Sequence, residues 1–249
     1  MVIDKIQKQR FEYKYLVPEY ITGNLRDFIS SYLELDEYGA TRPNFSYPVH
    51  SLYFDSPFLK TYMDTINGNR NRYKLRARFY ENAPDKPVFF EIKRRFNKVI
   101  AKKRARVIRS AAPMVAMGHL PPFEQLEFVD EDQIDAIQHF STLINELNAS
   151  PKLHVSYLRE AWVGTGDNSI RVTLDRDVKT EPRTTFDLSE EMTNPALAFK
   201  DVILELKFTN RFPNWFVDLV RTFNLRQESA AKYVDGVNQI GKHKIQYSF

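Results

Sequence analysis

Lys74, Arg76 and Arg78 occupy alternate positions of Asn71-Arg72-Tyr73-Lys74-Leu75-Arg76-Ala77-Arg78-Phe79-Tyr80, and the pattern recurs along the chain. Arg10, Glu12 and Lys14 share it, as do Glu91 with Lys93, Lys102 with Arg104 and Arg106, Tyr157 with Arg159, Arg171 with Thr173 and Asp175, and Glu205 with Lys207. Rows of guanidinium and ammonium groups suit one task well. Arg forks match phosphate oxygens, and phosphoryl transfer asks for positioning and charge neutralisation, not a protein nucleophile. The in-phase acids Glu12, Glu91, Asp175 and Glu205 are hard oxygen donors of the kind divalent cations take, with Glu205 and Glu91 the first two candidates. Their alternative reading is as salt-bridge partners that neutralise neighbouring bases. No Gly-rich phosphate loop is present, and His50, His119, His139, His154 and His243 show no metal-ligand spacing.

Alternation of this kind requires strands, because successive side chains of a strand point to opposite faces. Eight strands are expected, over residues 10–17, 47–55, 71–80, 88–96, 99–110, 152–163, 169–178 and 201–208. The register of 99–110 is open, since Lys103 interrupts the phase and a slip of one residue would exchange the faces. Helices are expected over 18–34, 57–66, part of 113–150, 213–223 and 228–240, with loops at 36–46 and 180–200 and a hairpin turn at Asn97-Lys98.

Seven of the eight strands carry charge on one face. On that face, Arg106 aside, basic residues outnumber acidic ones eleven to four, although the whole chain carries only +4. The opposite face (Phe11, Tyr13, Tyr15, Leu75, Phe79, Phe90, Ile92, Leu158, Trp162, Val172, Leu174, Leu204 and Leu206) is too apolar for water and calls for helices over it. Like charges packed inward without partners cost several kcal/mol each. The charged face is therefore either open to solvent or built around a polyanion. The fold expected is α+β: one domain over 1–249, its eight antiparallel strands closed into a barrel with helices outside and a basic tunnel within.

The totals narrow the rest. There is no cysteine, which excludes disulfides, thiolate metal sites and cysteine nucleophiles. Met1-Val2-Ile3-Asp4-Lys5 lacks the apolar run of a secretory signal, and no stretch has the ~18 apolar residues of a membrane span, so a cytoplasmic protein is expected. A net charge of +4 is too small to imply nucleic-acid binding, sequence-specific binding included.

Phe11-Glu12-Tyr13-Lys14-Tyr15, Tyr53-Phe54-Asp55, Lys74-Leu75-Arg76-Ala77-Arg78, Glu91-Ile92-Lys93, Lys102-Lys103-Arg104, Tyr157-Leu158-Arg159, Arg171-Val172-Thr173-Leu174-Asp175, Glu205-Leu206-Lys207 and Ala231-Lys232-Tyr233 follow one another in an order that resembles the polyphosphate polymerase (VTC, vacuolar transporter chaperone) domain of the triphosphate tunnel metalloenzymes, over roughly residues 8–240. The resemblance implies ATP and polyphosphate as partners, Mn²⁺ or Mg²⁺ as cofactor, and transfer of the γ-phosphate to a growing chain. By that analogy Lys14, Arg76, Arg78, Lys93, Lys102, Arg159, Arg171 and Lys232 hold phosphates and Glu205 holds the metal; together with the in-phase strand residues, this makes Arg76, Arg78, Lys93, Arg159 and Arg171 the catalytic cations expected, Lys14, Lys74, Lys102, Arg104, Lys207 and Lys232 the further substrate-binding ones, and Glu205, Glu91 and Glu12 the metal ligands. One departure stands out. The superfamily's first-strand Glu-x-Glu-x-Lys is Arg10-Phe11-Glu12-Tyr13-Lys14 here, a base in place of one metal ligand. Hydrolysis of a triphosphate in the same tunnel, and polyanion binding without turnover, are the competing functions. A basic patch of Lys102-Lys103-Arg104 with Arg94-Arg95 favours a long polyanionic product over them.

Overall fold

The computed structural model describes residues 11–97, 99–126, 130–166, 169–209 and 211–246. Arg10 and Lys98 lie outside the described residues. The strands are β1 (Phe11–Val17), β2 (Glu34–Leu35), β3 (Ser46–Asp55), β4 (Asn71–Phe79), β5 (Val88–Phe96), β6 (Val99–Val107), β7 (Ser150–Val163), β8 (Ile170–Pro182), β9 (Ala196–Leu197) and β10 (Val202–Phe208). The helices are α1 (Thr22–Ser30), α2 (Glu37–Ala40), α3 (Lys60–Ile66), α4 (Ala112–Ala116), α5 (Glu131–Leu147), α6 (Asn214–Thr222), α7 (Lys232–Ile240) and α8 (Lys242–Gln246).

All strands join one antiparallel sheet in the order β1-β10-β8-β7-β3-β4-β5-β6, with two-residue β2 and β9 added to β7 and β8. The eight long strands match those expected, apart from ends that move by a few residues. Closure does not match. Among the described residues no hydrogen-bonded ladder joins β1 to β6, so the sheet is curled and not sealed. The reason lies downstream: the segment before α7 runs along the outer edge of β1, where Glu228 N donates to Lys14 O (2.9 Å) and Gln227 forms a bridge with Tyr15. That segment satisfies backbone groups that a barrel would have given to β6. Side chains still span the curl, as Lys93 on β5 reaches Glu12 on β1 at 2.9 Å.

Two apolar layers wrap the convex face. Leu75, Phe90, Ile92 and Ala105 are buried under Ile137, Phe140 and Ile144 of α5. Tyr15, Val172, Leu174, Leu204 and Leu206 are buried under Leu25 and Ile29 of α1 and Phe216 and Leu219 of α6. Leu158 departs from expectation: it is 38% exposed, beside the β7 irregularity between Ser156 and Leu158. A third layer joins Tyr53, Val155 and Ile203 to Tyr233, Val234 and Val237 of α7. Tyr233 stacks on Tyr53 (4.9 Å) and donates to buried Asp55 (2.8 Å).

Connections differ more than strands. The helix expected over 18–34 is a short 3₁₀ turn, α1 and then β2, and the loop expected at 36–46 contains α2, capped by Asp36 accepting from Gly39 N (2.9 Å). The loop expected at 180–200 carries strand at both ends: β8 runs on to Pro182 and β9 pairs with it. Asn97 turns the β5–β6 hairpin without glycine by taking φ 55°, a conformation Asn tolerates.

Candidate functional site

The ladder places the charged residues in rungs across the concave face. Lys74, Lys93 and Lys102 form one; Arg76, Glu91 and Arg104 form the next; Arg78, Phe89 and Arg106 form the third. This settles the register of β6: Lys102, Arg104 and Arg106 face inward, while Lys103 turns out to Asp135 on α5 (2.6 Å). Across the lumen, Glu12 pairs with Lys207, Lys14 with Glu205 and Glu205 with Thr173. The charged concave face is thus assembled largely by strand phase, a property these segments carry locally.

Two acids organise the cations. Glu91 is fully buried and meets Arg76 (2.6 Å), Arg104 (3.1 Å), Lys102 (3.6 Å) and Arg78 (3.9 Å). Burial alone would raise its pKa, but those four bases hold it well below the usual carboxylate range. Glu205 meets Lys207 (2.5 Å), Lys14 (3.1 Å), Lys232 (3.1 Å) and Arg159 (3.9 Å), and is likewise held well below that range against the effect of burial. Lys232, the first residue of α7, also touches Asp175 (2.7 Å), which accepts both arms of the Arg159 fork at 2.7 Å. Burial would raise the pKa of Asp175, but Arg159 and Lys232 bring it down to about 2.

Several cations are under-compensated. Burial, together with Lys14 and Lys93, pushes Lys74 down to about 7. Burial also brings Lys207 down to about 7 despite its contact with Glu205, and Lys102 down to about 8 despite Glu91. Lys102 nevertheless keeps 47% of its side-chain surface accessible and Lys93 35%, so the concave face is wet. Such a site is short of negative charge, and a polyanion supplies it.

Thirteen of the fourteen residues predicted for binding or chemistry come together in this way: Lys14, Lys74, Arg76, Arg78, Lys93, Lys102, Arg104, Arg159, Lys207 and Lys232 around Glu91 and Glu205, with Glu12 joined through Lys14 and Lys93. Arg171 is the outlier. Its guanidinium turns to the rim, 3.0 Å from Asp36 and 3.5 Å from the Tyr47 hydroxyl. Asp36 lay in an expected loop, so its part in the rim had no signal in the sequence. Tyr53, which accepts from Arg76 (3.2 Å), went unmarked as well, whereas Tyr157, which accepts from Arg78 (3.0 Å), lies on the face its phase with Arg159 called for. Tyr53 lies on β3, the strand whose inward positions Tyr47, Val49, Ser51 and Tyr53 carry no charge.

The chain matches the VTC domain family over residues 9–240. It belongs to the VTC domain family. Two solved structures share the fold. A candidate adenylate cyclase from Bacillus halodurans is 15% identical, with a TM-score of 0.53, over 90% of this chain and 94% of that one. A candidate adenylyl cyclase from Hippeastrum, described as revealing a dominant triphosphatase activity, is 13% identical, with a TM-score of 0.50, over 91% and 93%. No significant match was found among curated proteins. At these identities the two structures speak for the fold alone, an antiparallel sheet with helices packed against it. Among the described residues no helix is long and apolar enough to cross a membrane.

The acids of this VTC domain separate by their fitness for a divalent cation. Among the described residues no three acidic or histidine side chains form a ready metal cage. Glu12 and Glu205, however, hold one cation between them already: Lys14 Nζ sits 3.2 Å from the first and 3.1 Å from the second. Hard cations such as Mg²⁺ are commonly bound by one or two carboxylates with substrate phosphates and water completing the shell, so this pair fits the group. Glu91, whose contacts are three guanidinium groups and an ammonium, fits it poorly.

Proposed function

We propose that this VTC domain is a polyphosphate polymerase that transfers the γ-phosphate of ATP to a growing polyphosphate chain inside its lumen. One observation carries the reading: inward-facing cations line both walls of one channel and outnumber the acids that accompany them. Arg76, Arg78, Lys93 and Arg159 hold the transferring phosphoryl group and its neighbours, while Arg171, held by Asp36, serves at the rim. Lys14, Lys74, Lys102, Arg104, Lys207 and Lys232 bind the remaining phosphates. In the step itself, a terminal oxygen of the acceptor chain attacks Pγ, the bond from Pγ to the β–γ bridging oxygen breaks, and ADP leaves with that oxygen. The Arg forks offset charge on the equatorial oxygens without having to reorganise.

Glu205 with Glu12 would hold Mn²⁺ or Mg²⁺, which supplies charge neutralisation across adjacent phosphates when bound. Glu91 serves instead as a counter-ion: it keeps Arg76, Arg78 and Arg104 assembled when no phosphate is present, and it positions them for one.

The test is incubation of the protein with ATP and Mn²⁺ or Mg²⁺, followed by ³¹P NMR and gel analysis of chain length. Long-chain polyphosphate with stoichiometric ADP supports the reading. Free phosphate with ADP makes the domain a triphosphatase, and unchanged ATP with tight polyphosphate binding makes it a binding module.

A further inference from the structure

The inward face of β4 changes character along its length. Arg72, Lys74, Arg76 and Arg78 are followed in the same phase by Tyr80, roughly 26 Å from Arg72 at strand rise. Its neighbours change in step, from Arg95 and Lys93 on β5 to Phe89, which packs edge-on to Tyr80 at 5.8 Å. Along this β4–β5 wall one end is therefore cationic and the other is aromatic.

At the aromatic mouth the rings continue outward. Tyr47 lies 6.1 Å from Tyr80, and Tyr38 on α2 lies 5.9 Å from Tyr47 with the planes tilted by 57°. Tyr38 is the outermost ring and is 63% exposed, so one face is open to whatever enters. Guanidinium groups flank the cluster: Arg104 sits 3.9 Å and Arg106 5.7 Å from the Phe89 centroid. Arg104 also reaches Glu91, the centre of the phosphate-side cluster, so the rings and the phosphate cations are contiguous. The α2 segment is held at this mouth by the Arg42–Glu81 ion pair (2.7 Å) and by Asp36, which bonds Tyr47 and Arg171. An exposed phenol over a charged rim is a poor solvent surface and a good π-face.

We infer that Tyr38, with Tyr47 and Tyr80 behind it, is the platform on which the nucleobase of the donor nucleotide stacks, so that the nucleotide enters by this mouth with its phosphates pointing toward Arg78 and Arg104. The inference rests on the reading that a nucleoside triphosphate occupies the lumen, and it assigns the end at which the base sits. Stacking on an aromatic ring tolerates any base, because every base has a π-face. The platform therefore discriminates nucleotide from inorganic phosphate chain more than one base from another.

The experiment is calorimetric titration of wild-type, Tyr38→Ala and Tyr38→Trp protein with two probes in Mg²⁺ buffer: the β,γ-imido analogue of ATP, and inorganic tripolyphosphate. Loss of one stacking ring is expected to weaken the analogue about fivefold or more. Tripolyphosphate should remain within about twofold in all three proteins, and Tyr38→Trp should match or exceed wild type for the analogue. The inference is overturned if Tyr38→Ala leaves the analogue unchanged, or if it weakens both probes alike. Those results would leave the phosphate lumen standing. Wild-type protein that binds tripolyphosphate but not the analogue refutes the nucleotide donor and this platform together, while wild-type protein that binds neither removes the proposed function as a whole.

Discussion

Glu91→Gln tests the idea that the lumenal acids stand in for phosphate. The carboxylate is fully buried and faces four bases. Removing one member of a buried ion pair typically costs about 3–5 kcal/mol, because the partner charge is left without compensation. Here the penalty is uneven. Lys102 and Arg104 keep 47% and 28% of their side-chain surface and can turn to water, whereas Arg76 and Arg78 keep only 14% and 8%. The amide oxygen still accepts a hydrogen bond from Arg76. The lower end of that range, about 3 kcal/mol, is therefore expected, which for a domain of this size lowers Tm by roughly 6–12 °C.

The informative measurement is what tripolyphosphate does next. A ligand that binds only the folded state stabilises by RT ln(1 + [L]/Kd), about 2.7 kcal/mol at a hundredfold excess over Kd. If phosphate oxygens replace the carboxylate, the variant binds tripolyphosphate more tightly than wild type and its Tm shift with ligand is the larger one. The assay is thermal unfolding with and without metal-free tripolyphosphate at low ionic strength, where charge is least screened. A variant Tm within about 2 °C of wild type, or a ligand-induced shift no larger than that of wild type, would refute the reasoning.

Three further outcomes are expected. Glu205→Ala should abolish turnover of ATP with Mn²⁺ or Mg²⁺ while metal-free tripolyphosphate binding, followed by calorimetry, stays at least as tight as in wild type; retained turnover would contradict a metal role. Lys74 and Lys207 are pushed down from 10.5 to about 7, so they lose their protons in the ligand-free protein as pH rises through 7; tripolyphosphate should bind more tightly at pH 6 than at pH 8, with proton uptake on binding near neutral pH, measured in buffers of different ionisation enthalpy. The same sign makes the ligand-free fold more stable as pH climbs from about 7 toward 10.5, because the unfolded chain then binds more protons than the folded one. Tyr233→Phe removes the hydroxyl that donates to buried Asp55 at 2.8 Å and anchors α7; a loss of about 1.5–3 kcal/mol is expected, read by denaturant unfolding, with Lys232 loosened and weaker tripolyphosphate binding as the accompanying sign.

What the sequence made legible divides along a physical line. Strand phase is local: Lys74, Arg76 and Arg78 could be put on one face from their spacing alone, and the ladder puts them there with Glu91 and Arg104 opposite. The same reasoning could not fix β6, where Lys103 spoils the alternation, because the choice between its two registers is made by Asp135 and the apolar layer of a helix more than twenty residues downstream. Closure of the barrel failed for a related reason. Eight alternating strands look sufficient for a sealed ring, yet the free edge of β1 is taken by Gln227 and Glu228, whose short polar segment carries no strand pattern. At the site, charge announced itself and neutral polarity did not. Arg76 and Arg78 were visible and Tyr157 shared the phase of Arg159, but Tyr53, whose phenol accepts from Arg76, lies on the one strand without a charged row and gave no such signal. Arg171 shows the limit from the other side. Its phase was right, but a phase places only the Cβ, and a guanidinium reaches several ångströms beyond it toward the strongest acceptor within range. That acceptor is Asp36, in a segment read as loop, and it draws Arg171 from the centre of the channel to the aromatic rim.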